Sequence, residues 1–121
     1  MTTTVAVDKE FVISVGTLLD THKCLDVLVF DVAKSCDWTS YMAIASVSSM
    51  GHLGGVIKNL ALLFDEKKIP FPLKKKGNDN QNWVFIDCGS IVIHLMLKET
   101  RDFYQLENMW KTNPLLFSNC E

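Results

Sequence analysis

The stretch Trp83-Val84-Phe85-Ile86-Asp87-Cys88-Gly89-Ser90-Ile91-Val92-Ile93-His94-Leu95-Met96-Leu97 decides the fold. Two runs of β-branched and aromatic residues flank Cys88-Gly89-Ser90, a connection short enough to force a hairpin. Side chains alternate across a strand, so Trp83, Phe85 and Asp87 share one face and Val84 and Ile86 the other. On the second strand Val92, His94 and Met96 lie opposite Ile91, Ile93, Leu95 and Leu97. One face of this hairpin must cover a core. The other is either capped by a helix or offered to a partner, and Trp, Tyr and Met are types that concentrate in interface cores.

Upstream, Phe11, Val12, Val15, Leu18 and Leu19 recur at helical spacing and predict a helix over 9–20, with Asp8 as its cap. Leu25 to Val32 reads as a strand covered on both faces, and Tyr41 to Ala45 as a second buried strand. Their linker is too short for a full crossover helix, so their mutual direction stays open. Ser48 or Ser49 caps a long helix carrying Leu53, Val56, Ile57, Leu60, Leu63 and Phe64. Gly51, Gly54 and Gly55 fit that helix poorly: it starts late, or its backbone approaches something closely. Pro70-Phe71-Pro72 suits only an edge strand or an extended loop. After the hairpin, Thr100 caps a last helix whose Phe103, Leu106 and Trp110 form a core stripe. These elements describe an α/β single domain: a mixed β-sheet of about five strands flanked by helices. Residues 1–112 make up the domain, and 113–121 a C-terminal tail in which Leu115-Leu116-Phe117 could pack back or meet a partner.

The totals narrow the functional classes. A chain of 121 residues holds one domain, large enough to bury a core without staples. The formal charge of −2 and the single arginine, Arg101, argue against nucleic acid as the main partner. Cys24, Cys36, Cys88 and Cys120 form no metal-binding spacing and read as reduced thiols; a site built from Cys36, Cys88 and His52 is the lesser alternative. No run approaches the roughly 20 apolar residues of a membrane span, so no membrane partner is expected. The N-terminus resembles neither a signal peptide nor a mitochondrial presequence, so the expected compartment is the cytoplasm, or an organelle if a presequence has been removed.

Five stretches together resemble a known family. They are Asp26 to Val32; Tyr41 to Ser46; Ser48-Ser49; Trp83 to His94; and Arg101-Asp102-Phe103-Tyr104-Gln105-Leu106-Glu107-Asn108-Met109-Trp110. In this pattern the chain resembles the Iojap family, the bacterial ribosomal silencing factor S and its organellar relatives. The resemblance implies a nucleotidyltransferase-like fold without catalytic residues, and no cofactor. It implies docking on the large ribosomal subunit through ribosomal protein fourteen, at the face where the small subunit would bind, so that subunit association is blocked and translation repressed. The free protein would be a monomer or a weak homodimer. The chain departs from the family at Ser40, where an acidic residue is usual, at Gly51, Gly54 and Gly55, at Leu73 to Gly77, and at Ser90, where the family has Asp.

On this reading the surface for the ribosomal protein comprises Trp83, Phe85, Asp87, Ser90, His94, Met96 and Tyr104, with Trp83 as anchor and Tyr104 at the rim. Each has a plainer alternative: Trp83 starts a buried strand, and His94 is a core histidine bonded to a carboxylate such as Asp87. Five of the twelve basic residues lie between Lys67 and Lys76, and Lys74, Lys75 and Lys76 are candidates for a peripheral contact with ribosomal RNA. Two other functions stay open. One is a non-enzymatic assembly factor for the large subunit. The other is a nucleotidyltransferase-like enzyme, which would need a glycine-serine turn and paired carboxylates holding magnesium. Here Ser46-Val47-Ser48-Ser49 lacks the glycine, and Asp26 and Asp31 fall on opposite faces of one strand.

Overall fold

In a computed structural model, residues 7–72, 76–77 and 82–120 are described. The order is α1 (Lys9–Thr21), β1 (Leu25–Asp31), β2 (Tyr41–Val47), α2 (Met50–Glu66), β3 (Lys76–Gly77), β4 (Trp83–Asp87), β5 (Ile91–Leu97), α3 (Lys98–Tyr104), a 3-10 turn over Leu106–Met109 and β6 (Leu115–Ser118). The strands form one sheet in the order β3-β4-β5-β2-β1-β6. β2 and β5 run parallel, with α2 in the crossover between them; the other pairs are antiparallel, β1 with β2 included.

Strand alternation divides the core into two layers. Toward α1 and α2 point Val27 and Val29, Ala43 and Ala45, Val84 and Ile86, and Ile91, Ile93 and Leu95. These meet Phe11, Val12, Val15 and Leu19 from α1 and Leu53, Val56, Leu60 and Phe64 from α2. Phe64 anchors the layer, edge-on to Phe11 with ring centroids 5.0 Å apart. The opposite face carries Phe30, Met42, Ile44, Val92 and Met96 under Trp110. A helix packs over part of that face, and the rest stays half-exposed.

Local chemistry sets the helix ends. The Asp8 carboxylate accepts from the Phe11 N–H at 2.9 Å. Ser49 is the cap of α2, its hydroxyl accepting from the His52 N–H at 3.0 Å. The glycines of α2 explain neither of the expected alternatives. The helix begins at Met50, and a Cβ at Gly54 or Gly55 would meet nothing within 4 Å. Gly16 is the reverse case: its Cβ would lie 2.7 Å from the Phe117 ring, so α1 can cross β6 only without a side chain there.

Several expectations are corrected. Of the two readings of Pro70-Phe71-Pro72 the loop is found and the edge strand is not; Phe71 packs on Phe64 with centroids 4.9 Å apart, and the short edge strand is β3. The last helix starts at Lys98 without a side-chain cap, so Thr100 caps nothing, and it ends at Tyr104. The segment expected as a tail is β6, antiparallel to β1. It is held there because β1 contains a bulge at Asp26, which has a positive φ of 50°. The bulge turns the Val27 N–H away from β2, and the Asn119 side chain accepts it at 2.7 Å. The same amide donates to the Asp20 carboxylate at 2.8 Å and the Cys24 carbonyl at 3.2 Å. Among the described residues no helix is long and apolar enough to cross a membrane.

The two kinds of glycine should respond oppositely to alanine. Gly16→Ala is expected to lower stability by about 1–3 kcal/mol through overpacking against Phe117. Gly54→Ala is expected to raise it by up to about 1 kcal/mol, because an exposed helical glycine only adds entropy to the unfolded chain. Urea unfolding midpoints check both.

Candidate functional site

The uncovered half of the second sheet face lies over β4 and β5. Antiparallel pairing sets Trp83 opposite Met96 and Phe85 opposite His94. The α3 helix leaves the end of β5 and brings Tyr104 back over this corner. Five rings then form a continuous chain. Phe103 meets Tyr104 edge-on at 4.9 Å, Tyr104 meets Trp83 at 5.0 Å, and both Trp83 and Phe85 meet His94 at 5.9 Å between centroids. Such spacings are those of favourable aromatic pairs.

His94 is the inner ring. It is 8% exposed, and its Nδ1 accepts from the Trp83 indole N–H at 3.1 Å. That bond requires a neutral imidazole with its proton on Nε2. Burial pushes the His94 pKa down from 6.5 to about 4, in the same direction. The expected carboxylate partner is therefore corrected: Asp87 sits opposite Val92, and its oxygen accepts the Gly89 N–H at 2.9 Å inside the hairpin turn. Gly89 takes a positive φ of 84°, which that tight turn requires.

The structure brings together Trp83, Phe85, His94 and Tyr104 and separates the other expected residues from them. Met96 is fully buried beneath Trp83, as part of the core. Asp87 and Ser90 are exposed at the far end of the hairpin. There the Ser90 carbonyl accepts from the Ser40 and Tyr41 N–H groups at 3.1 and 3.0 Å, beside a polar depression lined by Cys36, Trp38 and Thr39. Lys74 and Lys75 lie outside the described residues. Lys76, in β3, is in register with Phe85, at the sheet edge beside the rings.

Two residues of this site carry roles that the sequence did not signal. Gln105 adopts a left-handed conformation, φ 47° and ψ 48°, and ends α3 there. A non-glycine residue in that region costs on the order of 1 kcal/mol. The break destroys the expected stripe: Trp110 is buried, but Phe103 turns outward and is 80% exposed. Arg101 is 4% exposed. Its guanidinium donates to the Ser46 hydroxyl at 3.0 Å, the Leu25 carbonyl at 3.4 Å and the Glu107 carboxylate at 3.4 Å. It thus ties α3 and the following turn to β1 and β2. Its being the only arginine was the one available hint.

Cys36, Cys88 and His52 are not a metal set. Cys36 packs in the layer under Trp110, Cys88 against the opposite layer, and His52 bridges the Ser48 N–H to the His22 carbonyl. Among the described residues no three His, Cys, Asp or Glu side chains are grouped to hold a metal ion.

Linkage through His94 has a definite sign. Its folded pKa is depressed, so the neutral form supports folding fully above pH 6.5, and that support is lost as pH falls toward about 4. The loss amounts to roughly 3 kcal/mol. In His94→Gln this part of the pH dependence should vanish between pH 6.5 and 4, as read from urea unfolding across that window.

The comparisons with known proteins agree with one another. The family model described as "Ribosomal silencing factor during starvation" matches residues 6–120. A mouse protein, "Mitochondrial assembly of ribosomal large subunit protein 1", is 36% identical over 97 residues; the match covers 78% of this chain but only 42% of the mouse protein. "Ribosomal silencing factor RsfS" from Treponema pallidum is 34% identical over 91 residues, covering 71% of this chain and 77% of its own length. A crystal structure of a Chromobacterium violaceum protein shares the fold, with a TM-score of 0.75 at 22% identity over 87% of this chain and 88% of that one. With the hairpin, the helix crossing it and nearly the whole length matched, the chain belongs to the family of ribosomal silencing factors, RsfS.

Proposed function

We propose that this protein docks on the large ribosomal subunit through ribosomal protein fourteen and keeps the small subunit from joining it. The observation that carries the reading is the chain of rings from Phe85 to Phe103, which runs from the half-buried Phe85 and Trp83 of the sheet to the exposed Tyr104 and Phe103 of α3. Aromatic groups on rigid strands and a short helix form a preorganised contact surface, with little side-chain entropy left to lose. The block is steric: no bond is made or broken. The protein buries a standard interface, roughly 1,200–2,000 Å² in total, and fills volume that the small subunit needs.

The carboxylates support a binding role over nucleotidyl transfer. Asp26 sits in the bulge at one end of β1, and Asp31 at the other end accepts the Ala33 N–H at 3.1 Å. They cannot share a metal at a reacting phosphate. A second reading, assembly of the large subunit, is favoured by the printed name of the mouse relative. It uses the same docking surface without the block. The protein works wherever its ribosomes are, in the cytoplasm or in an organelle.

Trp83→Ala should weaken cosedimentation with purified large subunits by about 30-fold, the cost of a hot-spot residue, with the circular dichroism spectrum retained. Unchanged affinity in a folded variant would remove the ring chain from the contact. Light scattering during subunit joining separates the two roles: a silencing factor lowers the joined fraction in proportion to its occupancy, and an assembly factor need not.

Replacing Lys74, Lys75 and Lys76 together by Gln should weaken binding and lower the slope of log affinity against log salt by up to about 2–3. An unchanged slope would place the lysine loop outside the contact with ribosomal RNA.

A further inference from the structure

The seven residues of α3, Lys98–Tyr104, are too few to hold a helix by themselves, and no side chain caps its start. An apolar stripe does not hold it down either. Lys98, Glu99, Asp102, Phe103 and Tyr104 are exposed and Thr100 is half-buried, so Arg101 is the one buried side chain of the helix. Burial of an apolar face is the usual anchor of a surface helix. Here the hydrogen bonds of a guanidinium take its place.

Those bonds leave the helix in three directions. Nη1 donates to the Ser46 hydroxyl on β2 at 3.0 Å, and to the Leu25 carbonyl at 3.4 Å, where the register of β1 against β2 shifts. Nε donates to the Glu107 carboxylate in the following turn at 3.4 Å. The Arg101 carbonyl accepts from the Gln105 N–H at 2.7 Å and closes the helix. Tyr104 lies just under one turn further along, and its ring reaches Trp83 at 5.0 Å between centroids. With no other buried side chain on α3, the place of the Tyr104 ring over Trp83 depends on Arg101.

We infer that Arg101 is a positioning residue for docking: too buried to meet a partner itself, it acts by holding Tyr104 against Trp83 in the contact surface. The inference rests on the docking reading above and extends it from the rings to the group that sets them. It also requires a guanidinium. A lysine ammonium offers all its donors from one nitrogen, whereas Ser46 and Glu107 are served here from two, Nη1 and Nε.

The test is a double-mutant cycle. Binding to purified large ribosomal subunits is measured for Arg101→Lys, Tyr104→Ala, the two combined, and Trp83→Ala, well below each thermal midpoint. Arg101→Lys and Tyr104→Ala should each weaken binding by about tenfold, and the double variant by little more, because both changes remove the same contact. A loss of about 100-fold in the double variant, the product of the singles, overturns the inference, since Arg101 would then act elsewhere than through Tyr104. A folded Arg101→Lys with a lower thermal midpoint and unchanged affinity overturns it as well, leaving a structural role alone. Should Arg101→Lys fail to fold, Ser46→Ala replaces it in the cycle, because Ser46 is 3% exposed and supplies one acceptor to the guanidinium. Its expected loss is about threefold, absent when Tyr104 is already alanine; no loss, or the same loss in both backgrounds, overturns the inference. If Tyr104→Ala binds normally while Trp83→Ala is weakened, the positioning role fails and the docking reading stands. If Trp83→Ala also binds normally, the docking reading itself fails.

Discussion

The buried guanidinium of Arg101 organises the side of this molecule that carries the ring chain. A charge taken out of water must be matched by hydrogen bonds and an opposite charge, or the fold loses several kcal/mol. Arg101 finds its partners in three places: the Ser46 hydroxyl on β2, the Leu25 carbonyl at the start of β1, and the Glu107 carboxylate beyond the helix. Those partners leave α3 one position on the sheet. Trp110 and Leu106 then pack on the layer of Phe30, Met42, Ile44, Val92 and Met96, while Tyr104 meets Trp83 and leaves that corner half-exposed. This arrangement follows from where one cation can be satisfied.

The rings of β4 and β5 rest on a rigid base. Val84 and Ile86 hold β4 in the layer under the helices, and Ile93 and Leu95 do so for β5. Between the strands, the indole-to-imidazole bond fixes both Trp83 and His94, and the neutral state of His94 keeps that bond intact through the physiological range. A contact made of such parts loses little freedom on binding, which suits a protein whose proposed action is only to occupy a place.

Much of this was legible in the sequence because it follows from period. The hairpin, the two faces of its strands, the caps at Asp8 and Ser49 and the helical stripes of α1 and α2 depend on neighbours in the chain, and all are found. What was missed depends on partners far away. Nothing near Asn119 announces that its amide would answer the bulge at Asp26, so β6 read as a tail. Nothing in Tyr104-Gln105-Leu106 marks a left-handed residue, since glycine or asparagine is the usual sign, so periodicity alone predicts a longer last helix with Phe103 inside. For the site, the alternation rule named Trp83, Phe85 and His94 correctly as neighbours, but it could not tell that Met96 lies beneath the indole or that Asp87 and Ser90 lie at the other end of the hairpin.

The alternation along β4 has one more effect. Trp83 and Phe85 carry rings proposed as a contact surface, and Val84 and Ile86 carry core, so one alignment of this strand against β5 sets both the packing and that surface. A slip by one residue would bury the tryptophan side and expose the valine and isoleucine, losing both properties together. A misaligned β4 is therefore expected to be lost as instability rather than to persist as a folded molecule with a different surface.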